Sequence, residues 1–395
     1  MSEWGPRSEA ARRTLAKSTA ILVVVLVFVG AGVVVVVRQH DNASAEADQR
    51  RTDAVVQSLE AFVARTRGHE FLKPVTVELD DDATFERQTG GTSSMRDFLV
   101  QLFPSFHALG LSTGPSDPTA IANELAALED GIYLPTTGVV HVRATTMTPF
   151  TKRVVVHELT HALDDQWFNL DKVERSADRN IVYLAPNALI EGNATRVEQL
   201  YLESLSAGDR GLATPPSSRA SSNDVPPEIR ETISFPYKAG VAFVDALAAA
   251  GGEARVDDAF RNPPRFGSEI LHPEQYLDQH QRDAIDRAYD TTPEPQPDSG
   301  ALTHGDVYGW DESSTEIVLE KVVGTTTATD AANAWNGALA IEWSTVDETC
   351  VRINFADSAI PNDDRLRSAL QGWAAQQHDA TVTTSPLSLR ACAAT

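Results

Sequence analysis

Residues 18–37 form a run of 20 without a charge, including Ile21 through Val29 and Val33 through Val37. No other segment limits the chain as much. At about 1.5 Å per helical residue the run spans roughly 30 Å, the thickness of a bilayer core. It is apolar on every side, which argues for a transmembrane helix over a buried core element. Arg7, Arg12, Arg13 and Lys17 precede it against Glu3 and Glu9. This basic flank places residues 1–17 in the cytoplasm as a short tail and the remaining chain outside, giving a single-pass protein of the cell membrane. A cleaved signal peptide is the competing reading, because Ala43-Ser44-Ala45 offers a small-residue site. Its usual apolar region of about 7 to 15 residues is shorter than this run, which favours a retained anchor.

The chain carries 33 Lys and Arg against 56 Asp and Glu, a formal charge of -23. That charge repels nucleic-acid backbones and anionic head groups, so a nucleic-acid partner is excluded, whereas cationic peptides would be steered towards the protein. Only Cys350 and Cys392 occur. Both lie outside the membrane on this topology, where an oxidising compartment favours a disulfide between them.

Residues 38–50 are polar and read as a juxtamembrane spacer, and folded structure begins in 51–290. Val55, Leu59 and Phe62 fall at helical spacing, and Val75 to Leu79 alternates like a half-buried strand. Gly131 to Leu134 and Val139 to Val142 flank Pro135-Thr136-Thr137-Gly138 and predict a hairpin. The Pro-rich stretch 291–300 reads as a linker to a C-terminal unit, 301–395. That unit is predicted as α+β, with strands at Ala340 to Trp343 and Val351 to Phe355 and a helix presenting Leu366, Leu370 and Trp373. No fixed-period repeat is evident.

The hairpin leads into His157-Glu158-Leu159-Thr160-His161. Two imidazoles four residues apart lie on one helical face and can hold a metal, and the glutamate beside the first can take a proton from an activated water. Ten His in the chain predict roughly 0.02 chance matches to this pattern. The blander alternative is a surface helix that happens to carry two histidines. Val154-Val155-Val156 before the motif and Ala162-Leu163 after it describe a buried helix instead, where unpartnered imidazoles and a carboxylate would be costly.

A zinc site of this kind needs a third protein ligand and one open position. Glu191, preceded by Ala188-Leu189-Ile190 on a helix that Pro186 can begin, is the preferred candidate. Asp164, on the same helical stripe as His157 and His161, is the rival. Gly192 costs about 1 kcal/mol in a helix against Ala, a cost that close packing on the HExxH helix would justify.

Together, His157 to Leu163, Asp165-Gln166 and Glu191-Gly192-x-Ala194 resemble the gluzincins, zinc peptidases with HExxH and a later Glu ligand. More narrowly, the chain is similar to a little-characterised bacterial branch of exported or membrane-linked predicted metallopeptidases. The resemblance extends through Phe235-Pro236-Tyr237, Gly240, Gly251-Gly252, Pro263-Pro264 and Leu271-His272-Pro273-Glu274-x-Tyr276, covering roughly residues 130 to 280. The chain departs from the resembled pattern at Asp164, where Gln is expected, at Asn193, where Asp is expected, and at Gly267-Ser268-Glu269.

The resemblance implies an α+β, zincin-like peptidase domain that binds Zn2+ through His157, His161 and Glu191. It also implies hydrolysis of peptide or protein substrates with Glu158 as general base. The developing oxyanion needs a hydrogen-bond donor, for which His272 and Tyr237 are the candidates. The alternative is an inactive membrane-anchored binding or regulatory module on the same scaffold.

Overall fold

In the computed structural model, residues 50–89, 93–111, 117–176, 184–215, 225–356 and 364–394 are described, and the proposed anchor at 18–37 lies outside them. The fold is mixed α+β. A helix, α1 (residues 50–67), leads into β1 (Thr76–Asp80), then α2 (Asp82–Gln88), α3 (Ser93–Ala108) and α4 (Pro118–Ala126). The predicted hairpin follows as β2 (Gly131–Leu134) and β3 (Val139–Arg143), antiparallel and closing at Leu134 opposite Val139. β1 joins β3 in parallel, an order the sequence pattern did not show. Among the described residues β3 is therefore central and β2 is an edge of this sheet.

Against β2 and β3 packs α5 (Pro149–Phe168), which holds the HExxH segment. Its start is fixed by Thr148, whose side chain accepts from the Thr151 N–H, with Pro149 in the first turn where no donor is needed. Its end is set by Asn169 in the left-handed conformation, φ 61°. Next come α6 (Leu170–Glu174), α7 (Leu184–Ser204), α8 (Ala207–Leu212) and α9 (Pro227–Gly251). Among the described residues, only α9 is long and apolar enough to cross a membrane. It packs along α7, and Phe243, Val244 and Leu247 are fully buried, so it serves as a core helix. Gly192 and Gly240 meet at that crossing: a Cβ on Gly192 would lie 2.7 Å from Gly240 Cα. The close approach expected at Gly192 is thus to α9 and not to the HExxH helix. Short helices α10 (Glu253–Arg261), α11 (Gly267–Leu271) and α12 (Pro273–Leu277) and the longer α13 (Gln279–Thr291) complete this part.

After the Pro-rich stretch come β4 (Thr303–His304), β5 (Tyr308–Gly309), α14 (Glu312–Val323), α15 (Thr325–Ala332), β6 (Ala338–Ser344), β7 (Glu348–Phe355), α16 (Arg365–Ala374), β8 (Ala380–Thr384) and β9 (Leu387–Ala394). The sheet runs β4-β6-β7-β9-β8, with β5 also on β6. Cys350 and Cys392 sit directly opposite on β7 and β9 and are joined by a disulfide.

The expectation of a separate C-terminal unit behind a linker needs correction. Its core is continuous with Leu99, Phe103 and Phe106 of α3, Ile121 of α4 and Ile229 of α9, and Leu59–Thr395 form one compact unit. The Pro-rich stretch is pinned to the sheet: Asp298 pairs with Arg352 at 2.5 Å and Arg390 at 2.6 Å, and Asn354 Nδ2 donates to the Pro293 carbonyl. Prolines stop helix and strand there, but a proline-rich segment can still lie as an ordered strap when its carbonyls find donors.

Candidate metal centre

One turn of α5 separates His157 from His161, and their rings stand 4.7 Å apart at 80°. Glu191, on α7, reaches between them: its Oε2 lies 3.1 Å from His157 Nε2 and 3.5 Å from His161 Nε2. The three groups present ligand atoms that all lie within 4.8 Å of one another and could hold a metal ion. Two imidazole nitrogens and one carboxylate oxygen are a donor set suited to a borderline cation, with a fourth position left for water or substrate. Two other groups gather among the described residues. Glu348 with Cys350 and Cys392 has its sulfurs tied in the disulfide, and Glu78 with Asp80 and His141 is organised by a 2.8 Å hydrogen bond between His141 Nδ1 and Asp80.

The second nitrogen of His157 is also engaged. Nδ1 lies 3.3 Å from Glu198 Oε2, while Glu198 Oε1 accepts from Arg153 Nε at 2.5 Å. Such an outer carboxylate fixes ring orientation and tautomer. Burial opposes a charge on His157, but its hydrogen bonds to Glu191 and Glu198 override that and lift its pKa well above the ordinary imidazole value. His161 is raised too, against its burial, chiefly by the charge of Glu191. Glu191 shows the converse: burial favours its neutral form, yet the imidazoles hold it far below the usual carboxylate range.

Glu158 is buried, and that burial raises its pKa, with the charges of His157 and His161 in opposition. It packs against Gly131 of β2: a Cβ there would lie 3.1 Å from Glu158 Oε1 and 2.6 Å from Val154 Cγ1. Gly131 thus keeps room for the carboxylate under the edge strand. A cleft of about 460 Å³ opens beside it, lined among others by Glu129, Ile132, Phe150, His157, Glu158 and Tyr237.

Tyr237 comes to this cleft from α9, its ring 6.4 Å from that of His157 at 26°. Its hydroxyl hydrogen-bonds Glu191, and the charge of Glu191 is the main reason its pKa is raised well above the ordinary phenol value. His272, the other proposed donor, is not brought to the cluster. At the junction of α11 and α12 its Nε2 lies 2.9 Å from Glu312 and its Nδ1 3.8 Å from Glu274.

Asp164 is not drawn into the cluster either. It is fully buried, accepts from Arg67 Nε at 3.1 Å and from Asn193 Nδ2 at 2.6 Å, and so ties α1, α5 and α7 together. Arg67, with no exposed surface, also pairs with Glu253 at 2.5 Å and Asp257 at 3.2 Å. Neither Arg67 nor Glu198 is among the residues singled out from the sequence. Glu198 had a signal, since it stands two turns after Glu191 on the same face of α7. Arg67 had none, being one more basic residue on an amphipathic helix.

No family model matches the chain, and no curated protein or solved structure shows significant similarity to it.

Proposed function

We propose that the chain is a membrane-anchored, extracytoplasmic zinc peptidase of gluzincin type, with His157, His161 and Glu191 as metal ligands and Glu158 as general base. The observation that carries this reading is the convergence of two Nε2 atoms and one carboxylate oxygen from two helices, beside a buried glutamate in an open cleft. Zinc, when bound, supplies a Lewis acid that eases deprotonation of water and polarises a carbonyl.

The remaining steps belong to the chain's own residues. A peptide lying along the edge of β2 gains main-chain hydrogen bonds and brings its carbonyl towards the cluster. Glu158, whose carboxylate burial makes a stronger base, accepts the proton of the attacking water and passes it to the leaving amine. Tyr237, a phenol kept protonated by its acidic surroundings, donates to the developing oxyanion.

The alternative, an inactive module, rests on the departures from the resembled pattern. Two of them compensate each other. Where the pattern has Gln at 164 and Asp at 193, this chain has Asp164 accepting from Asn193 at 2.6 Å, so an amide and a carboxylate still face each other on exchanged helices. The third, Glu269, is spent on Arg282 Nε at 2.6 Å and the backbone N–H groups of Arg265 and Phe266.

The test is zinc content beside turnover of an unstructured protein by the full chain in detergent. Glu158→Gln is expected to keep about one zinc per chain and lose nearly all hydrolysis, and Glu191→Ala to lose zinc. Stoichiometric zinc and parental turnover in Glu191→Ala would end the gluzincin assignment. For the anchor, a reporter fused after Thr395 should report the outside of the membrane, whereas release with a new terminus at Glu46 would show a cleaved signal.

A further inference from the structure

We propose that Glu129 is a specificity-determining residue that receives a cationic nitrogen of the substrate, an ammonium or guanidinium close to the bond cleaved. The inference rests on the peptidase reading and deepens it.

Three observations carry it. The first is placement. Glu129 stands between the end of α4 and β2, where its N–H donates to the Ala126 carbonyl at 3.2 Å and its carbonyl accepts from Arg143 Nε at 3.0 Å, so its backbone is held on both sides. Its side chain lines one cleft with His157, Glu158 and Tyr237.

The second is that the carboxylate of Glu129 makes no hydrogen bond or ion pair among the described residues. The cations near it are engaged elsewhere, Arg153 with Glu198 at 2.5 Å and Arg143 with Asp82 at 3.5 Å and Glu86 at 3.7 Å. The third is the field: after its enclosure by the cleft, the charge of Glu158 is the next cause that lifts Glu129 to about 7, with Arg143 in opposition. A carboxylate fixed by its backbone, solvent-accessible and crowded by like charge is stabilised most by a cation entering the cleft.

The free amino terminus of a peptide and a Lys or Arg side chain share this chemistry, and the experiment separates them. Zinc-loaded full-length protein in detergent is given one neutral peptide sequence in three forms: N-acetylated, with a free amino terminus, and N-acetylated with Lys placed in turn within two residues of the cleaved bond. The readout is kcat/KM of each cationic form relative to the acetylated neutral form.

At least one cationic form should be preferred about tenfold or more by the native chain. That ratio should fall towards one in Glu129→Gln and below one in Glu129→Lys. Preference for the free amine identifies a terminal-amine subsite, and preference for Lys identifies a side-chain subsite. A native ratio within about twofold of one, or a preference that survives Glu129→Gln, overturns the proposal. If no form is cleaved, the peptidase reading fails. Calorimetric binding of the same peptides then decides the cation site by itself: a preference that depends on Glu129 keeps it, and equal binding removes it.

Discussion

Replacing Gly192 by Ala tests how the candidate metal cluster is held together. In a helix interior the change by itself stabilises by about 1 kcal/mol. At this position the new Cβ meets the backbone of Gly240, with Cα at 2.7 Å and the carbonyl carbon and oxygen closer still. Backbone cannot rotate aside as a side chain can, so α7 and α9 must separate by at least ~0.7 Å to bring 2.7 Å to the 3.4 Å of an ordinary contact. Overpacking of this kind costs about 1 to 3 kcal/mol, and an obstacle made of backbone belongs at the upper end, leaving a net loss of about 2 kcal/mol. Glu191 is the preceding residue, and zinc ligation tolerates only about 0.2 Å of error. Zinc affinity should therefore fall at least about tenfold along with stability. Guanidinium unfolding followed by tryptophan fluorescence, and zinc competition against a chelator, read the two effects. Gly211→Ala in α8 is the control: a Cβ there meets nothing within 4 Å, and stability should rise by about 0.5 to 1 kcal/mol. A Gly192→Ala chain as stable as its parent, with unchanged zinc affinity, would refute the view that the α7–α9 crossing positions Glu191.

Three further outcomes are expected. Glu198→Gln should lower zinc affinity about 10- to 100-fold, because it weakens the hold on His157 Nδ1 and removes no ligand; chelator competition measures it. Alkylation without reduction should find no free thiol, and reduction of the bond across a sequence separation of 42 should cost about 2 to 4 kcal/mol; two alkylated cysteines in freshly exported protein would contradict the bridge. His272 has its pKa raised in the folded chain, mainly by its hydrogen bond to Glu312. Its contribution to stability is therefore complete below the unfolded value near 6.5 and is lost as pH rises through the folded one. His272→Gln should cost about 1 kcal/mol at pH 6 and much less at pH 9, and an equal cost at both values in denaturant unfolding would contradict the ion pair.

What the sequence determined by itself was local. HELTH within an apolar stretch specifies a buried helix with both imidazoles on one face, because the 3.6-residue repeat leaves no other arrangement. The hairpin at 131–143 and the strands around 340 and 351 follow from alternation between turn residues, and the structure has them with every end within three residues. The two cysteines had only each other, and opposite positions on β7 and β9 join them. Glu191 was legible because a carboxylate following three apolar residues is out of place on a solvated face.

The tertiary structure decided which distant elements meet. Tyr237 and His272 were equal candidates as donors, and only the course of α9 brings the tyrosine to the cleft while His272 turns to Glu312. Asp164 shares a helical stripe with both histidines, yet Arg67, 97 residues away, takes it as a partner. The parallel pairing of β1 with β3, the sharing of one core by α3 and the C-terminal sheet, and the Gly192–Gly240 crossing belong to the same class. Periodicity records which face of an element is apolar. It does not record which other face will cover it, because that depends on the packing of the whole chain and on loop closures whose entropy changes only slowly with their length.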